Sequence, residues 1–198
     1  MAIGDQQKLI TEIVSKVLGE TAQTSKKFDW FLNKHSKENF GKHFSNIDNV
    51  FKSLRGEITA NQAKRTVGLE CDAYFGGKYN FIFEFDEYQH FSSSRLKSIE
   101  SYPTELKVYF DLENWKKLCK THKDSADKYR KSKTTKDFNF VGGRTAQRAY
   151  LDCFRDLLPE IHGLNPTLRI NEFEVVGISR DDKESCKKIE LLLKTKIL

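Results

Sequence analysis

The residues best suited to chemistry lie in one stretch, Phe81-Ile82-Phe83-Glu84-Phe85-Asp86-Glu87-Tyr88-Gln89-His90-Phe91. Side chains of equal parity share one face of a strand. Phe81, Phe83 and Phe85 therefore form an apolar face, and Glu84 and Asp86 lie on the other, beside Ile82. Two carboxylates on so apolar a strand are costly to bury without partners. A divalent cation is one such partner, and carboxylate oxygens suit hard Mg²⁺. His90 follows Asp86 by four residues and can reach the same pocket as a base or to orient water, with Gln89 beside it. The plainer reading is an exposed sheet face carrying solvated acids.

Whether Asp72 joins this group depends on register. Leu69–Tyr74 and Tyr79–Asp86 both alternate, and Gly76-Gly77 sits between them, which reads as a β-hairpin. A two-residue loop would oppose Asp72 to Phe81, on the wrong face. A three-residue loop opposes Asp72 to Ile82 or Asn80, and Glu70 to Glu84 or Asp86, so that four acids converge. The three-residue form is the expectation, because glycine supplies the positive φ it needs.

The remaining elements follow from periodicity. Leu9, Ile10, Ile13, Val14, Val17 and Leu18 make one stripe of a helix over 5–19, stopped by Gly19. Residues 26–55 read as helical in two pieces broken near Gly41. A strand is expected over 106–110, and a basic helix or helix-loop over 113–133. The clearest helix is 145–158, with Ala146, Ala149, Tyr150, Cys153, Phe154, Leu157 and Leu158 on one face and Pro159 at its end. A strand at 167–176 follows. A last helix, 180–196, has Ser179 and Asp182 spaced as a capping box. The expectation is an α/β (α+β) domain with a mixed β-sheet flanked by helices. Residues 1–65 form an N-terminal helical segment packed on a core of residues 66–198.

These residues carry a resemblance. An acid, a short loop and then Glu84-Phe85-Asp86 on a hydrophobic strand resembles the core of the PD-(D/E)XK nucleases. Glu84-Phe85-Asp86-Glu87-Tyr88-Gln89-His90 is most similar to the very-short-patch-repair-like, restriction endonuclease-like branch. Asp152-Cys153-Phe154-Arg155-Asp156, Gly163 and Leu168-Arg169-Ile170 resemble that branch's helix, turn and strand, so the likeness spans about residues 66–178. It implies a restriction endonuclease-like core in which Asp72 and Glu84 hold Mg²⁺, with Mn²⁺ as a substitute, near a phosphodiester. The metal would activate water and stabilise the charged transition state. Asp86 stands where such enzymes usually carry Lys and becomes a third acid, with Gln89 or His90 positioning water. A second register, Glu87-Tyr88-Gln89, could supply the acid and the Lys substitute instead. Glu57 and Glu70 are candidate extra acids, Glu57 as in some restriction enzymes.

The charge distribution supports a polyanionic partner. The chain has 198 residues, 34 Lys plus Arg against 28 Asp plus Glu, for a net charge of +6. Residues 116–136 hold nine basic residues and two acids, so this segment alone carries +7 and the rest −1. Lys116, Lys117, Lys120, Arg130, Lys131 and Lys133, with Trp115 and Tyr129 interleaved, could track phosphates without reading sequence. A solvated lysine-rich face is the plainer alternative. Gly142-Gly143-Arg144 opens the 145–158 helix, where backbone amides and Arg144 could hold a phosphate. Arg148, Asp152 and Arg155 share a face of that helix. Arg148 is a DNA-contact candidate, and Asp152 reads as one half of an intrahelical ion pair. Arg169 could reach the face of the hairpin acids.

Other classes drop out. No run approaches the roughly 20 apolar residues of a membrane span. The first residues lack a basic stretch followed by an apolar one, so no secretory signal is expected. Cys71, Cys119, Cys153 and Cys186 are scattered without metal-ligand spacing, as expected of reduced thiols in a cytoplasmic protein. The expectation is a Mg²⁺-dependent DNA endonuclease of restriction or repair type, a homodimer if it cuts both strands of a palindrome. The alternatives are a catalytically inactive nucleic-acid-binding module and a protein-interaction domain.

Overall fold

The computed structural model describes residues 4–180 and 182–197. Its centre is a mixed four-stranded sheet in the order β1-β4-β5-β6. These strands are β1 (Gln23–Thr24), β4 (Ala73–Phe75), β5 (Phe81–Asp86) and β6 (Asn165–Asn171). The β1–β4 and β4–β5 pairs are antiparallel and the β5–β6 pair is parallel. A parallel neighbour requires a long crossover, here supplied by α5 (Ser93–Glu100), α6 (Leu112–Ala126) and α7 (Gly143–Ile161). All six residues of β5 are buried. Its phenylalanines pack under α1 (Asp5–Leu18) and α8 (Lys183–Ile197), and α7 covers the opposite face. The strand is covered on both sides, so its second face buries Glu84 and Asp86 beside Ile82.

The hairpin register differs from the expected one. Ala73, Tyr74 and Phe75 pair with Phe83, Ile82 and Phe81, so the connection is the five residues Gly76–Asn80. The amides of Tyr79 and Asn80 both donate to the Gly76 carbonyl, and Gly77 and Asn80 adopt φ of 55° and 44°. Asn80 tolerates that conformation because the Tyr74 hydroxyl donates to its side-chain oxygen at 2.7 Å. Extending the register by one residue sets Asp72 opposite Glu84. The two acids thus meet across the strands, as the shared-face argument required, through a longer loop.

The segment 26–32 is not helical. Lys27–Leu32 forms β2, which pairs antiparallel with β3 (Gly68–Glu70) in a second, two-stranded sheet. Phe28 and Trp30 stack at 5.2 Å on one face of β2, a period-2 contact that overrides the helical spacing of Phe28, Phe31 and Leu32. Helix resumes at α2 (Lys37–Phe40), passes a 3₁₀ turn at Gly41–His43 and continues as α3 (Phe44–Ser53). The N-terminal 65 residues therefore contribute a strand to each sheet. The expected strand at 106–110 is reduced to a single bridge, Tyr109 with Leu168. The capping-box position is also shifted. The Asp182 carboxylate caps α8 by accepting from the Glu184 and Ser185 amides.

The helix α7 extends past Pro159 to Ile161. Its start is packed tightly, since a Cβ on Gly143 would lie 1.8 Å from the Phe138 carbonyl oxygen. The amides of Gly142, Gly143 and Arg144 donate to the carbonyls of Lys131, Phe140 and Lys133. These amides are therefore not available to hold a phosphate. They fasten the basic segment to the helix instead.

Candidate active site

The extended run 68–75 changes sheets at Cys71-Asp72: β3 pairs with β2, and β4 with β1 and β5. At this switch Asp72 leaves the regular ladder. Its Oδ2 accepts from the Phe85 amide at 2.8 Å, and its own amide approaches Glu84 Oε1 at 3.4 Å. The pair borders a cleft of about 320 Å³, whose other walls include Gln89 and His90 beyond β5 and Arg144, Arg148, Asp152 and Arg155 of α7.

Burial disfavours charge on both acids. Glu84 is 4% exposed. Its carboxyl is pushed up to about 8, although Arg155 pulls the other way. Asp72 is likewise raised by burial, against the pull of the Phe85 amide and Arg155. Arg155 Nε lies 2.9 Å from Glu84 Oε1, off the axis of a hydrogen bond, so the contact is an ion pair. The same guanidinium donates to the Glu70 and Leu151 carbonyls and lies 5.0 Å from the centre of the Phe31 ring.

His90 enters the cleft from the 3₁₀ turn Tyr88–His90. Its Nδ1 is 3.2 Å from Asp152 Oδ2 and 3.5 Å from Asp86 Oδ1. Burial opposes ionisation of Asp152, but His90, Arg169 and Arg95 outweigh it and hold that carboxyl well below the usual range. With two carboxylate oxygens facing it, Nδ1 is the nitrogen that donates, and Nε2 is the one left to meet a ligand. Gln89 bonds Glu87 through its amide and offers its carbonyl to Arg148 at 3.0 Å.

Asp86 lies behind the cleft rather than in its wall. It is 1% exposed, with Oδ1 at 2.7 Å from Arg169 Nη1 and Oδ2 accepting from Trp115 Nε1 at 2.8 Å. Arg169 is fully buried in β6 and also pairs with Asp156, so it is a core residue and has no route to DNA. Trp115 is buried too and is not available to stack on a base. Glu70 sits on the two-stranded sheet against Lys27, and Glu57 caps α4 (Ile58–Ala63) by accepting from the Thr59 and Ala60 amides. Neither glutamate reaches the cleft.

The basic residues divide into two groups. Arg144 and Arg148 line the cleft, and Arg130 lies beside Arg148 across the Tyr129 ring. Lys131 and Lys133 are exposed on the neighbouring loop. Lys116 pairs with Glu113 in the first turn of α6, and Lys117 and Lys120 are exposed farther along it. At ~1.5 Å per residue, Lys116 is roughly 15 Å from the Ala126 end of that helix.

Two site residues were missed as such in the sequence. Asp152 was read as an intrahelical partner, yet its nearer contact is His90; Arg155 is 3.9 Å from Asp152 but 2.9 Å from Glu84. Their spacing with Arg148 put all three on one helix face, but nothing in the sequence aimed that face at the hairpin.

The carboxylates that could hold a cation in the cleft are Asp72 and Glu84. Mg²⁺ uses one or two carboxylates and keeps several waters, so this pair fits it. Among the described residues no group of three His, Cys, Asp or Glu side chains is placed to hold a metal. Among the described residues no helix is long and apolar enough to cross a membrane. Cys71, Cys119, Cys153 and Cys186 are free thiols. Compared with protein-family models, curated proteins and solved structures, the chain matches none.

Proposed function

We propose that this protein is a metal-dependent endonuclease of restriction or repair type that hydrolyses DNA phosphodiester bonds at the Asp72–Glu84 cleft. The observation that carries this reading is the meeting of Asp72 and Glu84 across β4 and β5, beside a histidine and under an arginine rim. Buried carboxyls that resist ionisation gain most from a bound cation, which restores their charge. Mg²⁺ held there would polarise the phosphoryl oxygens and lower the pKa of a bound water. In its neutral form His90 would take the proton of the attacking water at Nε2, with Asp152 and Asp86 holding the ring through Nδ1. Arg148 faces the same space and balances charge on the phosphate. The mixed sheet with helices on both faces is what the resemblance to PD-(D/E)XK nucleases implies for the core.

A second reading, a binding module without catalysis, is favoured by one contact. Arg155 already lies against Glu84, where a cation would compete with it. Supercoiled plasmid incubated with Mg²⁺ or Mn²⁺, and with EDTA as control, separates the two. We expect metal-dependent nicking that is lost in Asp72→Ala and in Glu84→Ala. Retention of DNA without nicking in either metal would overturn the enzymatic reading and leave the module.

A further inference from the structure

Charge compensation is uneven around the cleft. Arg95, Arg155, Arg169 and Arg180 all pair with carboxylates. Among the described residues Arg130, Arg144 and Arg148 do not, nor, away from the cleft, do Arg55 and Arg65. The three at the cleft are neighbours: the guanidiniums of Arg130 and Arg148 lie 5.3 and 5.4 Å from the centre of the Tyr129 ring. The Arg144 guanidinium is half-buried; burial, then the charges of Arg148 and Arg130, make its protonated form harder to hold. The oxygens that Arg144 and Arg148 reach are neutral, Gln147 Oε1 at 2.7 Å and the Gln89 carbonyl at 3.0 Å.

The buried Asp152 is the acid that acts on Arg144, but among the described residues no carboxylate lies within ion-pair distance of the three, and like charges so gathered disfavour their own arrangement unless an anion joins them. The surroundings here fix the cations rather than let them spread. Tyr129 packs edge-on against Tyr88, and the carbonyl bonds at the start of α7 tie the loop to the helix. Arg144 and Arg148 face the cleft and Arg130 stands at its edge beside Arg148, and guanidinium forks so placed match the oxygens of a phosphate.

We propose that Arg130, Arg144 and Arg148, set around Tyr129, form a phosphate-binding subsite at the rim of the cleft, separate from the Asp72–Glu84 pair. On the reading of the cleft as a nuclease site, it holds the phosphate next to the one attacked. The binding itself requires neither metal nor cleavage. A terminal phosphate and an internal phosphodiester offer the same chemistry, and the experiment below distinguishes them.

The test is fluorescence anisotropy of a labelled oligonucleotide with the full chain in EDTA, with and without a 5′-phosphate, and with inorganic phosphate as competitor. Arg144→Ala/Arg148→Ala is expected to lose about ten-fold in affinity and to lower the slope of log K against log salt by about one. Arg130→Ala, at an exposed position, is expected to lose about three-fold. Lys187→Ala, on α8 across the sheet, is expected to bind as wild type. A 5′-phosphate that tightens binding only when the arginines are present assigns the terminal group; equal affinity with and without it, lost in the variants, assigns the internal one. Wild-type affinity in a folded double variant and in Arg130→Ala overturns the proposal. Binding that persists in Asp72→Asn keeps the two sites distinct. If plasmid is never nicked, the cleavage reading fails while this result still decides the subsite.

Discussion

Glu84 and Asp86 stand two residues apart on one face of β5, and their surroundings are opposite. Asp86 belongs to a closed ionic layer. Arg169 binds it and Asp156, Arg95 and Tyr102 complete the partners of Asp156, and Trp115 seals the other side. Glu84 faces the cleft with Asp72, with Arg155 as its ion-pair partner. In the closed layer the cations win over burial and Asp156 stays easily ionised, as does Asp152 in the wall between layer and cleft. In the cleft burial wins, and Asp72 and Glu84 resist ionisation. Charge is compensated from several sides in one case and chiefly by Arg155, against burial, in the other. The closed layer also serves the open one, since Asp86 and Asp152 both face Nδ1 of His90.

The sharpest way to break this comparison is Arg169→Leu. It strands Asp86 and Asp156 in the core, and removing one partner of a buried ion network costs about 3–5 kcal/mol. Urea unfolding at neutral pH measures it. A loss under about 1 kcal/mol would show that the layer is not held by compensation.

A second test uses pH, because the two regions carry opposite signs. The folded carboxyl of Asp156 is depressed: burial opposes this, but Arg169 and Arg95 prevail. Its contribution is therefore complete above the unfolded value and is lost as pH falls through the folded one. Glu84 behaves in reverse. Its folded value is raised from 4.5 to about 8, so the fold holds a proton that the unfolded chain releases. Stability therefore declines as pH rises across that window, by up to about 1.4 kcal/mol per pH unit. Glu84→Gln is expected to remove this decline and to equal or exceed wild-type stability near the upper end, while binding no metal there. Asp86→Asn is expected to lose about 2 kcal/mol at neutral pH, having weakened a buried charge pair. Equal pH profiles for wild type and Glu84→Gln would contradict the difference between the regions.

Much of this was legible in the sequence. The alternation of Phe81–Asp86 identified the strand and separated acids from phenylalanines, and the seven apolar positions of 146–158 identified α7. Parity alone could not tell Glu84 from Asp86. Their fates depend on which residues of β6 and α7 arrive opposite them, and the sequence places those some 70 to 85 positions away. The strand at 27–32 was hidden because Phe28, Phe31 and Leu32 also fit a helix; its pairing with β3 is a tertiary contact. The loop of the hairpin hid its length because Gly76-Gly77 signals a turn without saying where the strands resume. Arg144 and Arg148 were legible by position at the start and on one face of the 145–158 helix, and Arg130 only as part of the basic segment. That Arg130 and Arg148 share one tyrosine, with Arg144 beside them, while Arg155 and Arg169 are compensated is a matter of packing.

The smallest expected effect concerns Glu70. An acid two residues before Asp72 is a reasonable extra ligand by alternation, but the change of sheets at Cys71-Asp72 breaks that alternation. The Glu70 side chain goes to Lys27, at 3.1 Å, with the two side chains 50% and 61% exposed. An ion pair so open to solvent contributes about 0–0.5 kcal/mol, and salt screens it further. What the cleft does use is the Glu70 carbonyl, which accepts from Arg155 Nη2 at 2.8 Å and which any residue provides. Glu70→Ala is therefore expected to leave the unfolding midpoint and the metal-dependent nicking rate unchanged within error, where Asp72→Ala removes nicking. A large loss of nicking in Glu70→Ala at unchanged stability would mean that its carboxylate swings from Lys27 into the cleft when the cation binds. The boundary drawn at the sheet switch would then be wrong.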